Sequence, residues 1–174
     1  MVYYEDILKP MLEKHGISHE LHVTKSETSV DEFISDLDTT TMKYTDFVMI
    51  SGDGIFSQIV NAIAKHPQKD NLLKTPLGFL PGGSANWLSC ALSGYDPYSA
   101  SENVIRGDIV KGDVIEVTLD GERKIYTTGL SYGYSWDVLF GTSRKLFGKH
   151  RYLVSSLLKY YKPQSKFAFK NYTK

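Results

Sequence analysis

The chain has 174 residues, 41% of them hydrophobic, and its 20 Lys and Arg balance 20 Asp and Glu to a net charge of zero. That length suits one domain, or one domain and part of another, and the charge balance gives no support to nucleic-acid binding through bulk charge. One cysteine, Cys90, excludes an internal disulfide and suits a reducing compartment, and no apolar run approaches the roughly 18 residues of a membrane span.

The opening residues lack the basic-then-apolar order of a signal peptide. Tyr4, Ile7, Leu8, Met11 and Leu12 share one side of a helix expected over residues 2–15, with Pro10 kinking it and Gly16 as its C-cap. A doubly wound domain usually opens on a strand, so a further segment is expected upstream. Residues 19–24 read as a strand, with Leu21 and Val23 facing one way. Ser29-Val30-Asp31-Glu32 reads as a capping box that opens a helix to about residue 37.

Val48, Met49 and Ile50 follow as a short strand, expected to be buried on both faces as in a parallel sheet. The strand breaks into Ser51-Gly52-Asp53-Gly54. Then Ile55, Ile59 and Ile63, and Phe56, Val60 and Ala64, repeat every fourth residue, the period of an amphipathic helix ending at His66-Pro67. Residues 68–74 read as a polar loop. Leu77-Gly78-Phe79-Leu80 is a second buried strand, and it breaks into Pro81-Gly82-Gly83-Ser84-Ala85-Asn86 before a helix carrying Trp87, Leu88, Ala91 and Leu92. Cys90 reads as a buried small hydrophobe on that helix. Asp96 as N-cap and Pro97 at the first helical position open another helix, which closes near Gly107.

From about residue 111 the pattern changes to hairpins, with strands at 114–119 and 124–128 around Asp120-Gly121. A basic stretch over 144–151, a helix over 152–161 and a strand over 166–169 follow. The change points to a second, mainly antiparallel domain. Its strands at 124–128 and 166–169 would leave unpaired edges.

Strand, glycine loop and helix thus occur twice in succession. Such loops stand at the carboxyl ends of strands, where open α/β sheets bind ligands. Gly52 and Gly54 let backbone N–H groups approach a phosphate. Asp53 between them is wrong for holding an anion directly but suited to accepting a proton from an attacking hydroxyl or reaching a metal ion. The plain alternative for Asp53 is a turn aspartate. Neither loop is a Walker loop or a Gly-x-Gly-x-x-Gly dinucleotide fingerprint. The five histidines show no metal-ligand pairing and read as surface residues. Tyr132, Tyr134 and Trp136 read as sheet-edge core rather than as the lining of a lipid pocket.

Ser51-Gly52-Asp53-Gly54, Gln58-Ile59-Val60-Asn61 and the run from Pro76 through Pro81-Gly82-Gly83-Ser84-Ala85-Asn86 resemble the catalytic domain of the diacylglycerol kinase superfamily, above all its sphingosine kinase and ceramide kinase branch. Asp96-Pro97, Gly112-Asp113-Val114 and the segment 144–152 also look like that branch. The resemblance implies a doubly wound parallel sheet over residues 1–111, and from 112–174 the start of a β-sandwich domain. It implies a lipid kinase that transfers the ATP γ-phosphoryl group to the primary hydroxyl of a sphingoid base. The alternatives are a ceramide or diacylglycerol kinase, or a lipid- or nucleotide-binding fragment with impaired catalysis. An NAD kinase-like enzyme shares the Gly-Asp-Gly loop, but the Pro-Gly-Gly-Ser-Ala-Asn loop argues against it.

The resemblance makes Asp53 the residue that activates the lipid hydroxyl. It places Ser51, Gly52 and Gly54 on the substrate side, and Asp137 near the amine and hydroxyls of a sphingoid base. Thr24, Gln58, Gly83, Ser84 and Ala85 fall where the family contacts ATP, and Arg151 with one of Arg144 or Lys145 where it sets cations on the phosphates. Mg²⁺ is expected with ATP, with no protein metal site assigned. The expected partner is a lipid at a membrane surface, met by a cytoplasmic, peripherally associated protein, with a homodimer left open and nucleic acid not expected. The chain departs from the family at Gln58, where Glu is usual, and at Ala85, where a second Gly is usual. Small gaps are needed between Gly133 and Arg151.

Overall fold

The computed structural model of the chain describes residues 2–119, 123–129, 138 and 148–161. The chain divides into two compact units, Met1–Thr128 and Gly129–Lys174.

The first unit is a mixed α/β structure. The expected opening helix forms, but with a π-helical segment, Tyr4–Leu8, running into α1, Lys9–Lys14. Pro10 has no N–H and crowds the preceding turn. The chain widens one turn ahead of it, where the Lys9 N–H donates to the Tyr4 carbonyl, five residues back. Gly16, at φ +66°, ends α1, and the Ile17 N–H returns to the Leu12 carbonyl at 2.9 Å.

Residues 17–25 form no strand. A strand exists only through a ladder with a neighbour, and among the described residues none pairs with this segment. Side chains hold it instead: the Glu20 carboxylate meets Lys43 Nζ at 2.9 Å and accepts from the Tyr44 hydroxyl at 2.9 Å. The expected capping box is also replaced. Helix α2, Ser29–Ser35, starts after Thr28, whose hydroxyl donates to Glu32, while the buried Ser29 hydroxyl oxygen accepts from the Lys25 and Ser26 N–H groups, each at 3.0 Å.

Strand β1, Phe47–Ser51, leads into α3, Gly54–Lys65, and the short α4, Lys69–Leu72, then returns as β2, Leu77–Pro81. The two strands pair in parallel with Met49 opposite Phe79 and Ile50 opposite Leu80. Side chains alternate along a strand. Met49 and Phe79 therefore enter one apolar cluster with Val30, Ile34, Ile59 and Ile63, while Ile50 and Leu80 enter another with Leu8, Leu12 and Ala100. Helices thus cover both faces of the sheet. Ile63 is 1% exposed, so truncating it to Ala removes packing worth about 2–5 kcal/mol.

Three expectations fail here. Val48 is 40% exposed, because the helix on its face, α6, packs over β2 rather than β1. The stretch over 68–74 is a short helix rather than a loop, since Leu72 is driven wholly out of solvent into the first cluster. His66 is buried rather than on the surface: it follows α3 and its Nδ1 accepts the Gln68 N–H at 3.0 Å.

Helix α5, Trp87–Leu92, leaves Cys90 half-buried rather than buried, while Leu88 points into the core. Helix α6, Pro97–Arg106, begins as the sequence predicts, with Asp96 accepting the Ser99 N–H at 2.9 Å. That bond holds the Asp96 carboxyl below the usual carboxylate range.

Strands β3, Ile115–Leu119, and β4, Arg123–Thr127, form the expected antiparallel hairpin. Pairing of Leu119 with Arg123 leaves three residues between them, and Asp120 and Gly121 lie outside the described residues. The hairpin belongs to the first unit and packs against α3. Its outer edge is not left open at Tyr126, whose N–H and carbonyl both bond to the side chain of Asn61.

In the second unit a 3₁₀ turn, Gly148–His150, leads into α7, Arg151–Tyr161, which matches the helix expected there. The aromatic stretch over 131–136 and the strand expected over 166–169 lie outside the described residues. No helix among the described residues is long and apolar enough to cross a membrane.

Candidate active site

Parallel pairing of β1 and β2 brings the two glycine loops side by side at the carboxyl ends of the strands. The ladder runs on into the loops, where the Gly82 N–H donates to the Ser51 carbonyl at 3.0 Å. Beyond it the backbones touch. A Cβ on Gly83 would collide with the Gly52 Cα and lie 3.0 Å from its nitrogen, and a Cβ on Gly82 would stand 2.8 Å from the Ser51 nitrogen. The second loop therefore needs glycine at both positions, whereas a Cβ on Gly52 would meet the Gly83 Cα at 3.3 Å. Gly54 differs: a Cβ there meets nothing within 4 Å, and the residue is exposed.

Asn86 holds the second loop in shape. It is buried, sits in the left-handed region at φ 54°, and spans the Gly83 peptide twice. Its Oδ1 accepts the Gly83 N–H at 2.6 Å and its Nδ2 donates to the Gly83 carbonyl at 2.9 Å. Asn is among the few residues that visit this conformation readily. Sequence reasoning quoted Asn86 within the loop but gave it no role. The signal was there: an Asn directly before a helix, in a loop whose glycines demand close packing.

With its side chain turned to Gly83, Asn86 does not cap α5 in the ordinary way. Asp53 does so from the other loop, its Oδ1 accepting the Leu88 N–H at 3.0 Å. Asp53 is half-buried at the N-terminus of α3. The turn-aspartate reading put its partner within the same turn, yet the partner lies 35 residues on. The bond fixes the carboxylate's orientation and uses one oxygen. Among the described residues, Oδ2 takes no hydrogen bond.

Ser51 and Gln58 border an open cleft of about 440 Å³ that is also lined by Thr24, Lys25, Ser26 and Glu27. The structure therefore gathers Thr24, Ser51 and Gln58 around one space, next to the loop that carries Gly52, Asp53 and Gly54. Gly83, Ser84 and Ala85 sit exposed on the neighbouring loop. Arg151 is the first residue of α7 in the second unit. Asp137, Arg144 and Lys145 lie outside the described residues. Among the described residues, no three His, Cys, Asp or Glu side chains converge as a metal cage.

The family model for the diacylglycerol kinase catalytic domain matches residues 4–117, which takes in both glycine loops and ends within the first strand of the hairpin. Curated relatives carry sphingoid-base kinase names. Sphingosine kinase 2 of Arabidopsis thaliana is 26% identical over 175 residues, covering 95% of this chain and 34% of the relative. Sphingoid long-chain bases kinase 1 of the same plant is 27% identical over 162 residues, covering 90% of this chain and 21% of the relative. Sphingosine kinase 2 of Homo sapiens is 27% identical over 161 residues, covering 86% of this chain and 24% of the relative. The chain thus spans about a third or less of the length of these relatives. Interlocked glycine loops at adjacent strand ends, an aspartate fixed between them and a family match over most of the first unit lead to one assignment: the chain belongs to the diacylglycerol kinase catalytic domain family.

Proposed function

We propose that this protein is an ATP-dependent lipid kinase acting on the primary hydroxyl of a sphingoid base. The observation that carries the reading is Asp53, anchored through one carboxylate oxygen to the Leu88 N–H between two interlocked glycine loops. A general base needs a fixed geometry and a free lone pair, and this arrangement offers both. The relatives' names, sphingosine kinase and sphingoid long-chain bases kinase, support the choice of acceptor.

In this reading Asp53 Oδ2 takes the proton of the lipid hydroxyl as its oxygen bonds to the γ-phosphorus and the bond to ADP breaks. Ser51, Gly52 and Gly54 flank the acceptor, and the open space beside Gly54 is where the hydroxyl approaches. Thr24 and Gln58 face the nucleotide across the cleft, with Gly83, Ser84 and Ala85 beside them. Arg144, Lys145 and Arg151 neutralise charge on the phosphates. Mg²⁺, when bound with ATP, supplies further neutralisation of the phosphate oxygens. Asp137 recognises the sphingoid ammonium group. The α/β unit is a doubly wound kinase domain, the residues from 112 onward open its β-sandwich partner, and the protein works peripherally at a membrane surface where its lipid resides.

One observation favours a second reading. Gln58 lines the cleft at a position where the resemblance expects Glu, so a protein that binds nucleotide and lipid without turnover is the rival. A radiolabelled-ATP assay of the full-length product against sphingosine, ceramide and diacylglycerol decides. Label on sphingosine, lost in Asp53→Asn, supports the proposal. Label only on the uncharged lipids moves the acceptor class, and no label on any lipid favours the binding protein.

A further inference from the structure

Helix α3 carries a polar line that neither the loops nor the core explain. Asp53 precedes the helix, and Ser57 and Asn61 follow at steps of four, so all three share one face. At 1.5 Å per residue, Ser57 lies about 6 Å and Asn61 about 12 Å along the axis from Asp53. Asn is a weak helix former, and Asn61 sits half-buried in the middle of the helix.

Its side chain reads the backbone of β4 as a neighbouring strand would. Asn61 Oδ1 accepts the Tyr126 N–H at 3.0 Å, and Nδ2 donates to the Tyr126 carbonyl at 2.7 Å and to the Ser57 carbonyl at 2.6 Å. One turn nearer Asp53, the Ser57 hydroxyl donates to Thr127 Oγ1 at 3.4 Å. Within the hairpin, Glu116 takes the Tyr126 hydroxyl at 2.8 Å and Lys124 Nζ at 2.8 Å. The hairpin is thus braced internally by side chains and fastened externally by Asn61. Ile55 and Gln58, by contrast, line the cleft shared with Thr24 and Ser51. The residues facing the hairpin and those facing the cleft alternate along the helix.

We propose that Asn61 is a positioning residue of the kinase: it latches β4 to α3 and so fixes Thr127 within one helical turn of the Asp53 loop, on the acceptor side rather than the nucleotide side. This role rests on the kinase reading above, whereas the latch itself does not. Asn61→Leu keeps the size and the helix but removes both bonds to Tyr126, and Asn61→Ser repeats the loss with a polar residue in case Leu disturbs packing.

The test is hydrogen exchange and steady-state kinetics on the full-length protein. Exchange at the Tyr126 amide should quicken by about tenfold or more in both variants, as the loss of two partly buried hydrogen bonds requires, with β1 and β2 amides unchanged. The kcat on the lipid should fall by about tenfold or more while KM for ATP stays within about twofold. A purely structural Asn61 would move the melting temperature and the exchange but leave kcat intact, and that result would overturn the positioning role. Unchanged exchange at Tyr126 would overturn the latch. If the wild type transfers phosphate to no lipid, the positioning role falls with the kinase reading, and the exchange result still judges the latch.

Discussion

Asp53 makes a structural bond and carries a proposed catalytic role, and different substitutions separate the two. Its Oδ1 caps α5 through the Leu88 N–H at 3.0 Å, and its free oxygen is the proposed proton acceptor. Asp53→Asn keeps an acceptor oxygen for Leu88 but removes the basic lone pair and the charge. Loss of a general base costs about 10²–10⁴-fold in turnover. The fold loses little, because the amide oxygen still receives the N–H. Asp53→Ala removes the cap as well, and a lost N-cap costs about 0.5–2 kcal/mol. In a domain of about 150–250 residues, 1 kcal/mol lowers the melting temperature by about 2–4 °C. Asn should therefore melt with the wild type and Ala a few degrees below it, both nearly inactive. Thermal melts and initial rates under saturating ATP and sphingosine read the two effects apart. Turnover within a few-fold of wild type in Asp53→Asn would refute the base assignment. Equal melting of Asn and Ala would refute the cap.

Gly83→Ala should force the loops apart, since its Cβ would run into the Gly52 Cα; overpacking of this kind costs about 1–3 kcal/mol, so a melting temperature equal to wild type would contradict the interlock. Gly54→Asp should fold normally, because nothing lies within 4 Å of a Cβ there, yet lose turnover through crowding and charge beside the acceptor; normal steady-state kinetics would remove this loop from the site. Asp137→Asn should raise KM for sphingosine by about tenfold or more with a smaller fall in kcat, because a carboxylate about 4 Å from an ammonium in a partly dehydrated cleft contributes roughly 1–4 kcal/mol. Equal damage to turnover of ceramide would show that Asp137 does not select the charged lipid.

Much of the first unit was legible in the sequence because its signals are local. The every-fourth-residue spacing of Ile55, Ile59 and Ile63 marked α3, Gly16 marked a helix end, and Asp96-Pro97 marked a helix start, each set by residues within a turn or two of one another. The repeated strand–glycine–helix order placed both loops at strand ends and singled out Asp53 between two glycines. Tertiary structure alone decided what those residues touch. Residues 19–24 carry an alternating strand pattern but form none, because a strand depends on a partner that no local pattern specifies. Leu72 turned a polar stretch into a helix by leaving water, and His66 is buried in the folded chain. Long-range bonds join Asp53 to Leu88 across 35 positions and Asn61 to Tyr126 across 65. Helix period and capping act over a few residues, whereas these bonds exist only once the sheet has brought distant backbone groups within about 3 Å, the range in which a hydrogen bond forms.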